Sequence, residues 1–186
     1  MKKRLIVILA GLLTITILNG CGEKKESAPQ EAKEKKEITT QIANPWSNSD
    51  KQGVKDALGF DMPDAPSDAT QVSYSYMKDG GMAQLSYKTG ERDWTYRMQK
   101  TDKLTDISGM YYDWDVTEQG KVGDYDAEYL TYSDATGEEE FIDDIFCVWV
   151  VNWYDGAAGV THSLSLSGKD LDGMDFQVYA ESFLIE

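Results

Sequence analysis

The residues best suited to nucleophilic chemistry in this 186-residue chain are Cys147 and His162, its single histidine. A thiol becomes a good nucleophile when a nearby base or positive charge lowers its pKa and solvent can reach it. Cys147 instead lies among apolar residues, between Phe146 and Val148, and a free cysteine is commonly a small buried hydrophobe. We therefore expect Cys147 in the core. We expect His162 to be a packing residue with one hydrogen-bonded ring nitrogen, and no thiol dyad.

Acidic side chains form short clusters that could act as acid–base pairs. Asp113 with Asp115, and Asp124 with Asp126 and Glu128, alternate along predicted strands, and paired carboxylates are the catalytic groups of glycoside hydrolases. The chain has 33 acidic residues against 18 basic ones, so such pairs also arise by chance. We favour solvated sheet faces over a catalytic pair.

A further acidic cluster, Asp170, Asp172, Asp175 and Glu181, has part of the spacing of an EF-hand calcium loop, with Glu181 as its twelfth residue. Met174 stands where an oxygen ligand is needed, and Asp175 replaces the glycine of that loop. Helix capping explains these acids better than calcium binding does.

Composition excludes several classes of function. One histidine and two cysteines are too few for a multi-histidine metal site, a zinc ribbon or a disulfide framework. The net charge of −15 argues against nucleic acid as a partner, because binding phosphates requires a basic face. The chain also lacks the GxSxG, P-loop, GxGxxG and HExxH motifs. We expect no metal, no cofactor and no catalytic residues.

The amino terminus has the pattern of a lipoprotein signal peptide. A basic start, Met1 to Arg4, precedes 14 mostly apolar residues, Leu5 to Leu18, which are too few to span a bilayer. The run ends at Leu18-Asn19-Gly20-Cys21, which resembles a bacterial lipobox. We predict removal of residues 1–20 and lipidation of Cys21, which would anchor the protein to the outer face of the cell membrane. The alternative is an ordinary secretory peptide with an incidental cysteine.

The mature chain divides into a tether, residues 21–43, and one domain, residues 44–186. Residues 22–41 carry five Lys and five Glu and no aromatic residue. This composition predicts a flexible spacer, or an exposed helix held by pairs such as Glu31 with Lys35. The domain holds every tryptophan and tyrosine of the chain.

The domain is predicted to be α+β, a curved antiparallel sheet of about seven strands with an N-terminal and a C-terminal helix packed on it. Asn48 to Asp50 and Gly59 are the expected caps of the first helix. Asp170 or Asp172 is expected to cap the last, whose apolar stripe is Phe176, Tyr179, Ala180 and Phe183. Alternation predicts strands near residues 72–76, 83–87, 94–98, 112–116, 125–133, 145–154 and 160–167.

Two details of this sheet follow from the side chains. The segment 145–154 is apolar on both faces, so we predict a central strand. Glycines 120 and 123 are expected to interrupt the chain before the strand at 125–133. Four tryptophans, Trp94, Trp114, Trp149 and Trp153, are expected to pack in the core instead of forming a sugar-binding platform. Trp46, before the first helix, is not assigned to the core.

Three segments together carry a resemblance to a known family. They are Tyr96-Arg97 followed by Asp106-Ile107-Ser108-Gly109 and Tyr111-Tyr112; Val122-Gly123-Asp124-Tyr125; and Trp153-Tyr154-Asp155-Gly156 followed by Thr161-His162-Ser163-Leu164-Ser165 and a helix. The chain resembles Gram-positive surface lipoproteins that carry a domain of unknown function. His162, where tyrosine is commoner, and the acidic insertion Glu138-Glu139-Glu140 depart from the family pattern. Related domains are similar to ectodomains of membrane-bound anti-sigma regulators, and the sheet to LolA-type carriers, which implies a concave apolar groove.

Three functions remain open from the sequence. The first is a non-catalytic binding or envelope-sensing module for an unknown protein, peptide or lipid. The second is a carrier of a lipid or acyl ligand, which requires an apolar cavity between the sheet and its helices. The third is a carboxylate-based hydrolase of wall polysaccharide, which requires a cleft with two close acids. The turn Asp106-Ile107-Ser108-Gly109 is expected to be structural rather than a ligand loop.

Overall fold

The computed structural model describes residues 44–134, 145–169, 171 and 174–184, all within one compact unit, Ile42–Glu186. The predicted signal peptide, the lipidation site Cys21 and the tether lie outside the described residues. So do the acidic insertion, Glu138 to Glu140, and the two acids Asp170 and Asp172.

The domain consists of eight strands and two short helices. In chain order these are β1 (Ser47–Ser49), α1 (Lys51–Leu58), β2 (Thr70–Met77), β3 (Met82–Thr89), β4 (Arg92–Lys100), β5 (Val116–Val122), β6 (Tyr125–Ser133), β7 (Phe146–Asp155), β8 (Val160–Lys169) and α2 (Phe176–Glu181). The strands form one antiparallel sheet in the order β1-β2-β3-β4-β8-β7-β6-β5. Two meanders, β1–β4 and β5–β8, are thus joined by the pairing of β4 with β8. The sheet is antiparallel as predicted, with eight strands instead of about seven because Asn48 and Ser49 pair with β2 as the short strand β1.

Helix α1 begins and ends at the predicted residues. The Asp50 carboxylate accepts a hydrogen bond from Gly53 N at 2.7 Å, and Gly59 adopts the left-handed conformation at φ 78°. The Gly59 amide donates to Lys55 O at 2.7 Å. These two caps satisfy amides and carbonyls at the helix ends, and Val54 on the inner side is completely buried.

The strand predictions are largely confirmed, with one segment wrong. Strand β7 lies between β6 and β8 and buries side chains on both faces, as its apolar character predicts. Residues 111–115 are not in a strand, and β5 begins only at Val116 and continues through Gly120. A Cβ atom on Gly120 would come within 2.9 Å of the Tyr129 ring. Gly120 therefore makes room for a cross-strand aromatic ring instead of ending the strand.

The two faces of the sheet differ sharply in polarity. One face carries the main core, to which strands, helices and loops contribute Val54, Phe60, Tyr96, Trp153, Leu164, Phe176 and Phe183, among others. On the opposite face one cross-strand row is polar in all eight strands: Asn48, Ser75, Gln84, Arg97, Ser163, Asn152, Glu128 and Gln119. A smaller apolar cluster around Leu130, Val148 and Val150 lies at one end of this polar face.

Helix α2 packs on the apolar face through aromatic contacts. The Phe176 ring lies 6.4 Å from that of Trp94 and 5.7 Å from that of Trp149, and Phe183 stacks on Tyr96 at 4.7 Å. Phe176, Phe183 and Ala180 are buried as predicted.

Two details of α2 differ from expectation. Tyr179 is 43% exposed and only borders the core, with its ring 5.1 Å from that of Trp94. The N-cap is Asp175, whose carboxylate accepts from Val178 N at 3.2 Å, instead of Asp170 or Asp172. The helix ends two residues earlier than its apolar spacing indicates, because Phe183 lies in the turn that follows it.

Candidate functional site

A cleft of about 370 Å³ opens on the apolar face of the sheet. Its floor consists of residues near the ends of four strands: Met98, Lys100, Tyr125, Trp153, Asp155, Val160 and His162. One wall is the segment after α1, Gly59 to Asp61, and the other is Phe183 with Leu184 after α2. Residues distant in sequence therefore form the site, and the two helices position its walls.

Strand register places the central floor residues side by side. Met98 of β4 pairs with His162 of β8, and His162 pairs in turn with Trp153 of β7. The imidazole stacks almost parallel on the Trp153 indole, with ring centroids 5.1 Å apart and planes inclined by 7°. The floor thus has an apolar and aromatic centre that includes the imidazole, with the charged residues Lys100 and Asp155 beside it.

The tautomer of His162 follows from its partner. Tyr96 Oη lies 2.7 Å from His162 Nδ1, and burial raises the pKa of Tyr96, so the phenol keeps its proton. Nδ1 is the one hydrogen-bond partner of this hydroxyl among the described residues, so we assign the hydroxyl as donor. Nε2 then carries the imidazole hydrogen. The expectation of a packing histidine with one hydrogen-bonded nitrogen is confirmed.

Burial controls the charge of His162. It lowers the pKa of the imidazole to about 4, and the nearby Asp155 carboxylate, which acts in the opposite direction, only partly offsets this effect. At neutral pH His162 is therefore an uncharged N–H donor in the cleft.

The carboxylates at the cleft are both engaged by neighbouring groups. Asp61 forms an ion pair with Lys55 at 2.6 Å. One oxygen of Asp155 accepts hydrogen bonds from the amides of Ala157 and Ala158 at 2.9 and 3.0 Å, which holds the β7–β8 turn. Its other oxygen lies 3.5 Å from the Tyr125 hydroxyl. These contacts give both acids structural partners.

The thiol dyad considered from the sequence is excluded by register. Cys147 pairs with Gly168, whereas His162 pairs with Trp153, six positions further along β7. At about 3.3 Å per residue the two side chains are roughly 20 Å apart. Cys147 packs against the main core, as expected, but it is only partly buried, at the second position of β7.

The acidic pairs are engaged in contacts within the sheet. Asp115 Oδ2 accepts from Ser133 N at 2.7 Å, Asp126 forms an ion pair with Lys121 at 2.7 Å, and Glu128 accepts from Gln119 at 3.0 Å. Asp113 is exposed in the loop before β5, and Asp124 in the β5–β6 turn.

The described members of the EF-hand-like acidic cluster, Asp175 and Glu181, have structural partners. Asp175 caps α2, and Glu181 accepts from Gln177 at 2.9 Å. Within residues 44–134, 145–169, 171 and 174–184, no three His, Cys, Asp or Glu side chains come together as a metal-binding group.

The turn Asp106-Ile107-Ser108-Gly109 is structural, as expected. Arg97 Nη1 donates to the carbonyl of Ile107 at 3.1 Å and to that of Ser108, and Asp106 accepts from Asn152 Nδ2 at 3.2 Å. Gly109 has φ +68°, and a Cβ atom there would collide with the Arg97 guanidinium. The turn is therefore fixed to the polar face of the sheet by Arg97.

The tryptophans fall into three environments. Trp94 and Trp153 are buried in the core, at 2% and 1% exposure, as predicted. Trp114 and Trp149 are partly buried, and Trp114 packs near Tyr112 in the loop that covers the polar face. Trp46 lies 5.4 Å from the Arg97 guanidinium carbon, in a cation–π contact.

Sequence reasoning identified His162 and Trp153 but not the cleft around them. Lys100, Asp61 and Leu184 attract no attention in the sequence, since none belongs to a motif. The sequence signal that could have indicated the cleft is His162, a polar residue on an otherwise apolar strand face.

Comparison with known proteins adds no functional assignment. No protein-family model, curated protein or solved structure matches the chain. Among the residues described, neither helix has the length and apolar character needed to cross a membrane. Function is therefore inferred from the cleft and its residues.

Proposed function

We propose that this protein is a membrane-anchored extracytoplasmic binding module, without catalytic activity, that holds a small apolar ligand in the cleft. The supporting observation is the cleft itself. Buried core residues such as Met98, Trp153 and Phe183 line it together with the partly exposed side chains of Tyr125, His162 and Leu184. Its volume of about 370 Å³ lies near the lower end of the range for ligand sites. Both carboxylates that line it are engaged by structural partners, which favours binding over catalysis.

Of the three functions left open by the sequence, this arrangement favours a carrier or sensor of a small ligand. We propose that the cleft corresponds to the concave groove implied by the resemblance to LolA-type sheets, with the sheet curving towards α1 and α2. A hydrolase is less consistent with these contacts, because Asp115, Asp126 and Glu128 are each bonded to a neighbouring strand or loop residue.

Blocking the mouth of the cleft should abolish ligand binding. Ala158 is exposed and lines the cleft, whereas its neighbour Ala157 is exposed in the same turn and does not. N-phenyl-1-naphthylamine, a neutral apolar dye whose emission rises in apolar sites, serves as the probe. We expect Ala158→Trp to weaken dye binding at least tenfold, because the indole would fill the opening.

The matched control is Ala157→Trp, which adds the same ring to the same turn outside the cleft. It should bind the dye within about twofold of the unmodified protein. Fluorescence titration of the three proteins, with circular dichroism to verify folding, decides the matter. Absence of dye binding to the unmodified protein, or equal losses in both variants, would contradict a ligand site in the cleft.

The anchor is tested separately. Cys21→Ser should prevent lipidation, because serine has no thiol to receive the lipid, and the protein should then leave the detergent phase or stay unprocessed. Phase separation in Triton X-114, followed by immunoblotting of both phases, measures this. If both proteins partition equally, the lipobox assignment is incorrect, whatever the cleft binds.

A further inference from the structure

Lys100 is the positively charged residue of the cleft lining, and it forms no ion pair within the described part of the chain. It is the last residue of β4, two positions after Met98, so both side chains lie on the same face of the strand. Among the residues that the structure describes, ion pairs engage Lys51, Lys55, Lys88 and Lys121, but none engages Lys100. Lys78 and Lys103 also form no ion pair within these residues and are exposed, so what distinguishes Lys100 is its position in the lining of the cleft.

A second donor lies deeper in the same cleft. Nδ1 of His162 is occupied by the Tyr96 hydroxyl, so the hydrogen on Nε2 has no acceptor among the described residues. His162 pairs with Met98, two residues before Lys100, and the adjacent pair in the ladder is Lys100 with Val160. The ammonium and the imidazole N–H therefore belong to neighbouring positions of the same two strands, β4 and β8.

The carboxylates near the cleft do not compete for these donors. Asp61 is held by Lys55, and Asp155 by two turn amides and Tyr125. The partners of Asp155 are neutral, so its carboxylate keeps its negative charge. Lys100 of β4 and Asp155 of β7 flank Val160 on opposite sides, so a negatively charged ligand group is expected on the Lys100 side of His162, away from Asp155.

We infer that the ligand of the cleft is an apolar molecule with a carboxylate at one end, which binds Lys100 Nζ and His162 Nε2–H while its apolar part lies against the partly exposed side chains of Tyr125 and Leu184. One ammonium and one neutral N–H match a single negative charge. Charge-assisted hydrogen bonds of this kind are stronger than neutral ones in a partly desolvated site. This inference rests on the proposed function, since it names the chemical class of the same ligand.

The test compares octanoate with octan-1-ol, which share an eight-carbon chain and differ in the charged group. Each competes with N-phenyl-1-naphthylamine for the cleft of the full-length protein at pH 7. We expect octanoate to displace the dye at a concentration at least fivefold lower than octan-1-ol does. In Lys100→Gln, octanoate should bind at least about tenfold more weakly, the size expected for one lost charge-assisted hydrogen bond. Octan-1-ol should be unaffected.

Lys103→Gln is the matched control, because Lys103 is an exposed lysine three residues further on, outside the cleft. It removes the same charge from the protein and should leave both competitors unchanged. Equal affinities of octanoate and octan-1-ol, or the same loss for octanoate in both lysine variants, would overturn the carboxylate inference while dye binding stands. Failure of the dye itself to bind would overturn the proposed function and this inference together.

Discussion

Replacing Phe176 and Phe183 together by alanine is expected to leave the domain largely unfolded. Both side chains are buried, at 8% and 5% exposure, and they contact Trp94, Trp149 and Tyr96 on the sheet. Truncating one core phenylalanine costs about 3–5 kcal/mol. Two such losses are comparable to the whole free energy of unfolding of a domain, about 5–15 kcal/mol. Urea denaturation followed by tryptophan fluorescence measures the effect.

The control for this experiment lies on the outer side of the same helix. Gln177 and Val178 are exposed, and Gln177→Ala with Val178→Ala should change the free energy of unfolding by less than about 1 kcal/mol. The exposed Gln177–Glu181 hydrogen bond that this control removes contributes only about 0.2–0.5 kcal/mol. Asp175 and Glu181 are unsuitable controls, because Asp175 caps the helix and Glu181 also accepts from the Gly123 amide of the β5–β6 turn. A phenylalanine pair no more damaging than this control pair would mean that α2 does not contribute to the core.

Acidification is expected to destabilise the domain through His162, by on the order of 3 kcal/mol between pH 6.5 and pH 4. The pKa of the imidazole is about 4 in the folded protein, against 6.5 for an exposed histidine. Between these values the unfolded chain binds a proton that the folded domain does not. The contribution of neutral His162 to the free energy of unfolding is therefore fully present above pH 6.5 and falls as the pH drops towards 4.

His162→Gln isolates this contribution, because glutamine has an amide acceptor for the Tyr96 hydroxyl and does not titrate. Chemical denaturation of both proteins at several pH values between 4 and 7 gives the two pH profiles. The difference in free energy of unfolding between the two proteins should change by about 1.4 kcal/mol per pH unit within that window. The many carboxylates of the chain titrate in both proteins and so cancel from the comparison. Parallel profiles would show that the imidazole is not buried as described.

Local patterns predicted most strands correctly because side-chain alternation directly reflects burial on one face. Strand β7 shows this well, since its apolar character on both sides matches its buried position between β6 and β8. The same rule failed at Tyr112 and Trp114. Their alternation reflects packing of a loop, in which Tyr112 stacks on Tyr132 at 4.5 Å. Alternation alone cannot distinguish a strand from a loop that lies against a sheet.

The candidate site was less predictable than the fold for a physical reason. The role of His162 as a hydrogen-bonded packing residue depends on its own strand and could be predicted. The cleft depends on where Gly59 to Asp61 and Phe183 with Leu184 pass over the sheet. That placement is a property of tertiary packing, and no short-range sequence signal reports it.

The pairing of β4 with β8 has a consequence for the kinetics of folding. Every other neighbouring pair in the sheet is consecutive in the chain, whereas Lys100 pairs with Val160, about 60 residues away. This step closes the longest loop of the sheet and therefore has the largest single closure entropy. A slip of one residue there would turn Arg97 into the core and Tyr96 out of it. The alternation of the core residue Tyr96 and the polar Arg97 thus favours the correct register in the strand pair whose members are furthest apart in the chain.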